Sequence, residues 1–354
     1  MLVFGSDAGI PGSSDIFDIL KKSTVIDLRP IDEVCRWRFN NMIRMDWEDA
    51  RQGKLYSILP ARGSEIIVVG SDRVVLQHCH DSLSESGYMF PHGIWLLPGL
   101  EDVIPGGDYA SSIISTNQIS RAEEVALVRR VLWSPSPVIL RSFPLIAQNI
   151  CCGACQPHLS MLDIGAGSGR DAVWPLTCAS PLRDSIAVVV ALDRTRQMLE
   201  RAAVLADMNG VQNAWGGEEP PPNRSSSVPG VPRQSGQVLL VMGDATVDGI
   251  LDQVSANANR TAHPPSSGFD IVHVARYLNR AIFPAIRSVL NPGGFVIYHH
   301  FLVGSYRPKD EAQLLAHGEL ADVFGPQHGF LVEIDDVLVI ADGRPTSIFC
   351  ARKL

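Results

Sequence analysis

The stretch 161–171, MLDIGAGSGRD, constrains this chain more than any other. A short apolar run ends in an acid, passes three alternate glycines and leaves into a segment that can be helical from Arg170. That is a strand, a tight turn and a helix start. Glycine is needed where the backbone takes positive φ or where a ligand lies against bare main chain, and alternate glycines supply both within one turn. A cofactor is therefore expected across this turn. Dinucleotide sites read G-x-G-x-x-G, with the last glycine placed for close helix–strand packing beneath a pyrophosphate. Here the spacing is G-x-G-x-G, and Asp163 stands two residues before the first glycine. Its negative charge suits a cationic ligand better than a pyrophosphate.

Further apolar runs follow. Residues 187–193 (AVVVALD) read as a buried strand ending in Asp193, where a carboxylate can accept from both hydroxyls of a ribose. Residues 238–245 (VLLVMGDA), 269–275 (FDIVHVA) and 290–298 (LNPGGFVIY) are three more such runs. The D-x-G-x-G-x-G pattern, with these runs in this order, resembles the class I S-adenosylmethionine-dependent methyltransferases. The resemblance implies S-adenosylmethionine as cofactor, which has a sulfonium and an ammonium and no phosphate. It also implies the residues that hold it. Asp163, Gly165, Ala166, Gly167, Gly169 and Arg170 form the turn, with Gly165 and Gly167 facing the methionine part and Asp163 orienting its ammonium. Asp193 and Arg194 stand at the ribose, Asp244 and Ala245 at the adenine, and Val274 and Ala275 at the end of the fourth strand.

At 354 residues two domains are expected, each long enough to bury a core. A net charge of -8 and a pI near 5.7 argue against a chain that coats nucleic acid by charge alone. No run approaches the roughly 18 apolar residues needed to cross a bilayer. The first residues, MLVFGSDAGIPGSSD, lack a basic segment and a sustained apolar core. A soluble, cytoplasmic protein is expected. Seven cysteines, an odd number in a long chain, fit reduced thiols better than a disulfide framework. Cys151, Cys152 and Cys155, with His158 behind, read either as half of a zinc site or as a helix end of small apolar residues. A second pair at ligand spacing is missing, so no metal is expected.

Residues 1–15 read as a loose leader, 16–22 as a short helix and 23–30 (STVIDLRP) as a strand that stops at its proline. This V-I-D-L-R-P resembles the first conserved strand of rhodanese-like domains. Residues 33–39 follow as a helix, 65–69 as the strand leading to the active loop, 83–87 as a helix end and 95–99 as the last element. A sulfurtransferase of this type needs a cysteine directly after the central strand, where backbone N–H groups stabilise a persulfide. At that place stand Gly70, Ser71, Asp72 and Arg73, while Cys79 lies two helical turns later and is expected in the core. The resemblance therefore implies a rhodanese-like domain over 1–118 without sulfurtransferase activity, serving either to dock a protein partner or as a stabilising module. Residues 100–120 read as a connection, and 119–142 as a helix and a Pro-rich strap, LWSPSP, whose Trp133 faces either the cofactor or the domain junction.

The fold class expected is α/β in two domains: a rhodanese-like parallel sheet with helices, then, over 143–354, a Rossmann-like methyltransferase sheet ending in an antiparallel hairpin. Residues 216–236 and 255–268 are polar insertions expected to be flexible loops. The segments GSGRDA and RYLNRAIFP resemble the thiopurine- and tellurite-resistance-type methyltransferases of small molecules, which implies a thiol, a chalcogen anion or a similar small acceptor. Arg276 and Tyr277 are the candidates to face the acceptor, with His299 as a candidate general base, and Glu319 is expected to guard the pocket. Two other functions stay open. One is a non-catalytic adapter; the other is an RNA or protein methyltransferase whose first domain presents substrate.

Overall fold

The computed structural model describes residues 2–4, 24–29, 37–39, 42–45, 47–48, 59, 65–91, 94–96, 113–115, 133–150, 159–177, 179–216, 236–261, 268–340 and 342–354. Its chain divides into two units, Met1–Trp133 with Ser227–Pro232, and Ser134–Ser226 with Arg233–Leu354. The division falls inside the stretch read as a strap.

In the first unit the strands β1 (Leu2–Phe4), β2 (Thr24–Asp27), β4 (Met42–Arg44), β5 (Ile66–Gly70) and β6 (Ile94–Leu96) form one sheet in the order β1-β6-β5-β2-β4. All neighbours are parallel except β1, which runs antiparallel to β6. Three expectations are corrected here. Leu2–Phe4 is an edge strand within the supposed leader. Trp37–Phe39 is β3, not helix, and Ile113–Ser115, within the supposed connection, is β7. The alternation of aromatic and polar side chains in Trp37-Arg38-Phe39 has the period of a strand, and β7 supplies the antiparallel partner that the local sequence does not show. Helix 16–22 lies outside the described residues, as does the cluster Cys151, Cys152, Cys155 and His158.

Helix α1 (Arg73–Glu85) starts where the carboxylate of Asp72 accepts from the N–H groups of Val74 (2.7 Å) and Val75 (3.2 Å). Such a cap contributes about 1 kcal/mol. The helix ends at Gly87, whose φ of 89° a side chain would resist. Leu76, Cys79 and Leu83, three and four apart, form its buried stripe. Asp27 and Arg29 are both buried, and the Arg29 guanidinium forks onto the carboxylate through Nε (3.0 Å to Oδ1) and Nη2 (2.7 Å to Oδ2). The Arg29 N–H also donates to Oδ1, at 3.0 Å.

The second unit carries the long apolar runs. Strands β8 (Leu159–Ile164), β9 (Ile186–Asp193), β10 (Gln212–Trp215), β11 (Gln237–Met242), β12 (Phe269–Ala275), β13 (Leu290–Phe301), β14 (Phe330–Val339) and β15 (Pro345–Lys353) make an eight-stranded sheet. Its order is β10-β11-β9-β8-β12-β13-β15-β14. The first six strands are parallel, and β15 inserts antiparallel between β13 and β14. The expected Rossmann-like sheet with a closing hairpin is present. Edge strand β10 has no apolar run to announce it. From β8 the chain builds one side of the sheet with β9, β10 and β11, then crosses to the other side at β12. That reversal is a topological switch point, and ligands in open α/β sheets sit in the crevice outside the carboxyl ends of the strands there.

Helices α2 (Pro137–Ile150), α3 (Arg170–Val173), α4 (Arg196–Met208), α5 (Ile250–Thr261), α6 (Phe283–Val289) and α7 (Glu319–Val323) accompany the sheet. Helix α5 occupies the first half of 255–268, correcting its reading as a loop. Leu251 and Val254 bury an apolar edge in the core cluster, so this polar stretch has a packing partner. Among the described residues no helix is long and apolar enough to cross a membrane.

Substituting Asp27→Ala removes the bidentate partner of a buried guanidinium, and a loss of about 3–5 kcal/mol follows. Urea denaturation of the full chain measures it; a change below about 1 kcal/mol would show that the pair contributes little.

Candidate functional site

The glycine turn leaves the carboxyl end of β8 at the switch point, and its three glycines are needed for three different reasons. All have positive φ: 72° at Gly165, 55° at Gly167 and 79° at Gly169. A Cβ on Gly165 would lie 3.1 Å from the Cβ of Tyr277, so Tyr277 closes over the turn. On Gly169 it would lie 2.5 Å from the Cβ of Ala202, so this glycine lets α3 and α4 approach. On Gly167 it would meet nothing nearer than the Gly165 carbonyl oxygen at 4.0 Å. Of the three glycines, Gly167 is thus the one with open space beside it, where a ligand can lie on bare backbone. The N–H groups of Gly165 and Ala166 both donate to the Leu192 carbonyl, at 2.9 and 3.1 Å, tying the turn to β9.

Carboxylates surround this turn. Asp193, half-buried at the end of β9, accepts from the Gly167 N–H through Oδ2 (2.9 Å) and from the Thr195 N–H through Oδ1 (2.8 Å). Asp244, half-exposed beyond β11, accepts from the N–H and hydroxyl of Thr246 at 2.9 and 2.8 Å. Those hydrogen bonds, with the charge of Arg194, hold its carboxyl below the usual range. Asp163 is buried, 2% exposed, and its Oδ1 pairs with Nδ1 of His273 at 2.7 Å. Oδ2 of Asp163 is equally buried and meets no protein donor. A buried carboxylate oxygen without a donor carries the full cost of desolvation, which a ligand donor or a water would relieve.

His273 continues the network into the strap. Its Nε2 lies 3.2 Å from Oγ of Ser136 and 3.8 Å from Oδ2 of Asp171. The Ser136 N–H donates to Oδ1 of Asp171 at 2.7 Å. The residues preceding α2 are therefore pinned to the helix start that follows the glycine turn. Burial raises the pKa of Asp163. Burial by itself would lower that of His273, but the charges of Asp163 and Asp171 flanking the ring reverse this and raise it. Both directions have one meaning: the pair holds a shared proton tightly. Distances in Ser136–His273–Asp163 match a nucleophile–base–acid relay, yet acyl transfer also needs N–H donors for an oxyanion, and the Ser136 N–H is committed to Asp171.

The corner after β12 was expected to face the acceptor. Arg276 takes φ of 56°, the one positive φ at a non-glycine among the described residues, and its N–H donates to the His299 carbonyl at 2.7 Å. This turn sends its exposed side chain toward Phe301, with the guanidinium 6.0 Å from the ring centroid. Tyr277, half-buried, is fixed by the Tyr298 hydroxyl, which donates to the Tyr277 carbonyl at 2.6 Å. Burial and the nearby Asp244 raise the pKa of the Tyr277 phenol. Arg194, whose charge acts on Asp244, is exposed.

His299 is placed differently from its expected role. It is 1% exposed, its Nδ1 lies 2.9 Å from the Ser347 carbonyl, and burial pushes its pKa down to about 4. A base of that pKa, out of reach of solvent, is mismatched to proton abstraction at neutral pH. Glu319, half-buried at the start of α7, is held in an ion pair. Its carboxylate is forked by Arg280, Nε at 2.6 Å and Nη2 at 2.9 Å, and Arg280 also donates to the carbonyls of Ala312 (2.6 Å) and Leu314 (2.8 Å). This clamp fastens the segment after β13 to the corner. Val274 is buried in the core and Ala275 and Ala245 are partly exposed, while Arg170 is half-buried at the start of α3. Among the described residues no cluster of His, Cys, Asp or Glu has metal-holding geometry.

Sequence reading missed Ser136 and His273. The available signal was a lone titratable side chain in the otherwise apolar end of FDIVHVA. On a strand buried on both faces such a group must find a polar partner, and β8 and β12 place His273 in register with Asp163.

No family model matches the chain. A Schizosaccharomyces pombe protein described as uncharacterized protein UNK4.09 is 26% identical over 320 residues, 85% of each chain. Among solved structures, TehB from Haemophilus influenzae superposes with a TM-score of 0.38 at 12% identity, over 60% of this chain and 62% of TehB, so less than two thirds of that protein is spanned. Magnesium protoporphyrin IX methyltransferase (ChlM) from Synechocystis PCC 6803, solved with bound SAH, gives 0.37 at 12% identity over 67% of this chain and 89% of its own. TrmN from Thermus thermophilus gives 0.33 at 18% identity, over 61% and 51%.

Gly169→Ala forces a methyl into Ala202 on a positive-φ backbone, and a loss of about 2–4 kcal/mol is expected from overpacking and strain together. Gly167→Ala meets no neighbour and costs only the φ strain, about 1–2 kcal/mol. Thermal unfolding of both variants checks the order; equal losses would refute the division of roles.

Proposed function

We propose that the second unit is an S-adenosylmethionine-dependent methyltransferase acting on a small acceptor. The observation that carries this reading is the acidic ring around an open glycine turn: Asp163 with a buried oxygen lacking a donor, Asp193 on the Gly167 N–H, and Asp244 beyond β11. Such a ring repels a phosphate and favours a ligand carrying positive charge. A ribose requires a carboxylate acceptor at the end of the second strand, and Asp193 stands there with both oxygens already oriented by N–H donors.

The cofactor supplies a methyl group on a sulfonium, and the protein's task is alignment. Good orientation of reacting groups can be worth roughly 7–11 kcal/mol of barrier. Gly167 leaves the space, Asp163 offers its unpartnered oxygen to an ammonium, Asp244 stands where a base edge is read, and Tyr277 walls the turn. Arg276, exposed beside Phe301 at the same corner, is the side chain offered to the acceptor. With His299 buried and neutral, no strong base faces this corner from β13, which favours an acceptor that is already nucleophilic, such as a thiolate or chalcogen anion.

In the first unit the reading is a rhodanese-like domain without sulfurtransferase activity that docks a protein partner. It is supported by the cap Asp72 standing where the nucleophile belongs, and by Cys79, which is fully buried on α1 with its thiol pushed up to about 12 by burial. A cyanide–thiosulfate assay on the full chain is expected to give no thiocyanate above background; turnover would refute this reading.

Calorimetric titration with S-adenosylmethionine and with its demethylated product tests the main proposal. Micromolar binding is expected, weakened at least about tenfold by Asp193→Ala, which deletes a ribose acceptor worth more than about 1.4 kcal/mol. A folded protein that binds neither ligand would refute it.

A further inference from the structure

The mechanism above uses one oxygen of Asp163 and leaves its partner unexplained. His273 is fully buried on β12, and its imidazole is enclosed by acids and by one hydroxyl. The charged and titratable groups around it are Asp163 from β8, Asp171 from α3 and His299 from β13; Ser136 reaches it from the strap, and Asp193 from β9 acts on Asp163. Arg276 in turn acts on His299. Within this enclosure the ring can change charge without changing place. Protonated, Nε2–H donates to Oγ of Ser136; neutral, Nε2 accepts from the same hydroxyl after a rotation of its hydrogen. In both states Nδ1–H can stay on Asp163. Ser136 is half-buried, so the proton at Nε2 has a route outward that the one at Nδ1 lacks.

We propose that His273 is a positioning residue whose Nε2 proton is the resident counter-charge of Asp163 and Asp171, and that a cationic ligand on the glycine turn expels it through Ser136. The inference rests on the methyltransferase reading and deepens it. When the ammonium of the ligand reaches the unpartnered oxygen of Asp163, two cations would share buried Asp163 and half-buried Asp171. The imidazolium gives up its proton to solvent, the imidazole remains hydrogen-bonded to Asp163, and charge balances: one ammonium enters and one proton leaves. Without a ligand, the proton keeps Asp163 in place for the next one.

Because the ligand displaces a proton, affinity strengthens as pH rises while His273 is still protonated in the free protein, by up to about tenfold per pH unit. It levels off above the pKa of the pair, which lies above the ordinary histidine value.

The test is calorimetric titration of the full chain with S-adenosylmethionine at about pH 6, where the α-ammonium of the ligand is itself fully protonated. It is run in buffers of low and high ionisation enthalpy, so that the difference in heat counts protons. Release approaching one proton per ligand is expected. 5′-Methylthioadenosine, which has no ammonium, is expected to bind with none released. His273→Gln keeps an N–H for Asp163 but cannot titrate, and its binding is expected to release none. Binding without proton release, or equal release by the wild type and H273Q, would overturn the inference and leave the methyltransferase reading standing. If H273Q does not fold, equal release with both ligands in the wild type overturns it. Absence of binding by either ligand would overturn both.

Discussion

One hydrogen bond, between Asp163 and His273 across the neighbouring strands β8 and β12, ties together most of what this site contains. It exists because those two strands run parallel in register at the switch point of the sheet. A lone buried aspartate there would be driven neutral by desolvation, and a lone buried histidine likewise. Together they share a hydrogen bond of 2.7 Å, and the remaining polar atom of each is left for a further group. Nε2 of His273 holds Ser136, and Oδ2 of Asp163, buried, has no protein donor. Strap, turn and sheet therefore share a single electrostatic centre.

The glycine turn depends on this centre for its charge and on α4 for its shape. Asp193 and the Leu192 carbonyl bind three successive turn residues to β9, so the turn is held from the strand rather than from solvent. Because the acids are already placed by N–H donors, a ligand would not have to organise them on arrival. Preorganisation of this kind is where most of the advantage in a displacement reaction resides.

The first unit follows a different logic. Its strands are short, and the buried Asp27–Arg29 fork sits at the end of β2, where chain direction must be fixed. The loop after β5 spends its polar capacity on capping α1, and the nearest described thiol is sealed beneath the helix.

Periodicity and punctuation made much of this legible in the chain itself. The long strands β8, β9, β11, β12 and β13, their parallel order and the terminal hairpin are all visible as apolar runs ended by acids or glycines, because a strand buried on both faces must be apolar throughout. Gly165, Gly167 and Gly169 were equally visible as a group. Their separate tasks were not, since only the approach of Tyr277 and Ala202 distinguishes them. Short strands such as Trp37–Phe39 and Gln212–Trp215 were hidden because their pairing partners lie far along the chain or their runs are too brief to show a period. The fate of the titratable side chains was decided in three dimensions alone. His299 and His273 look alike as histidines within apolar strands, yet one faces a carbonyl and has its pKa pushed down by burial while the other faces two carboxylates and has its pKa raised. A pKa depends on what stands within a few ångströms, and only the register of neighbouring strands determines that.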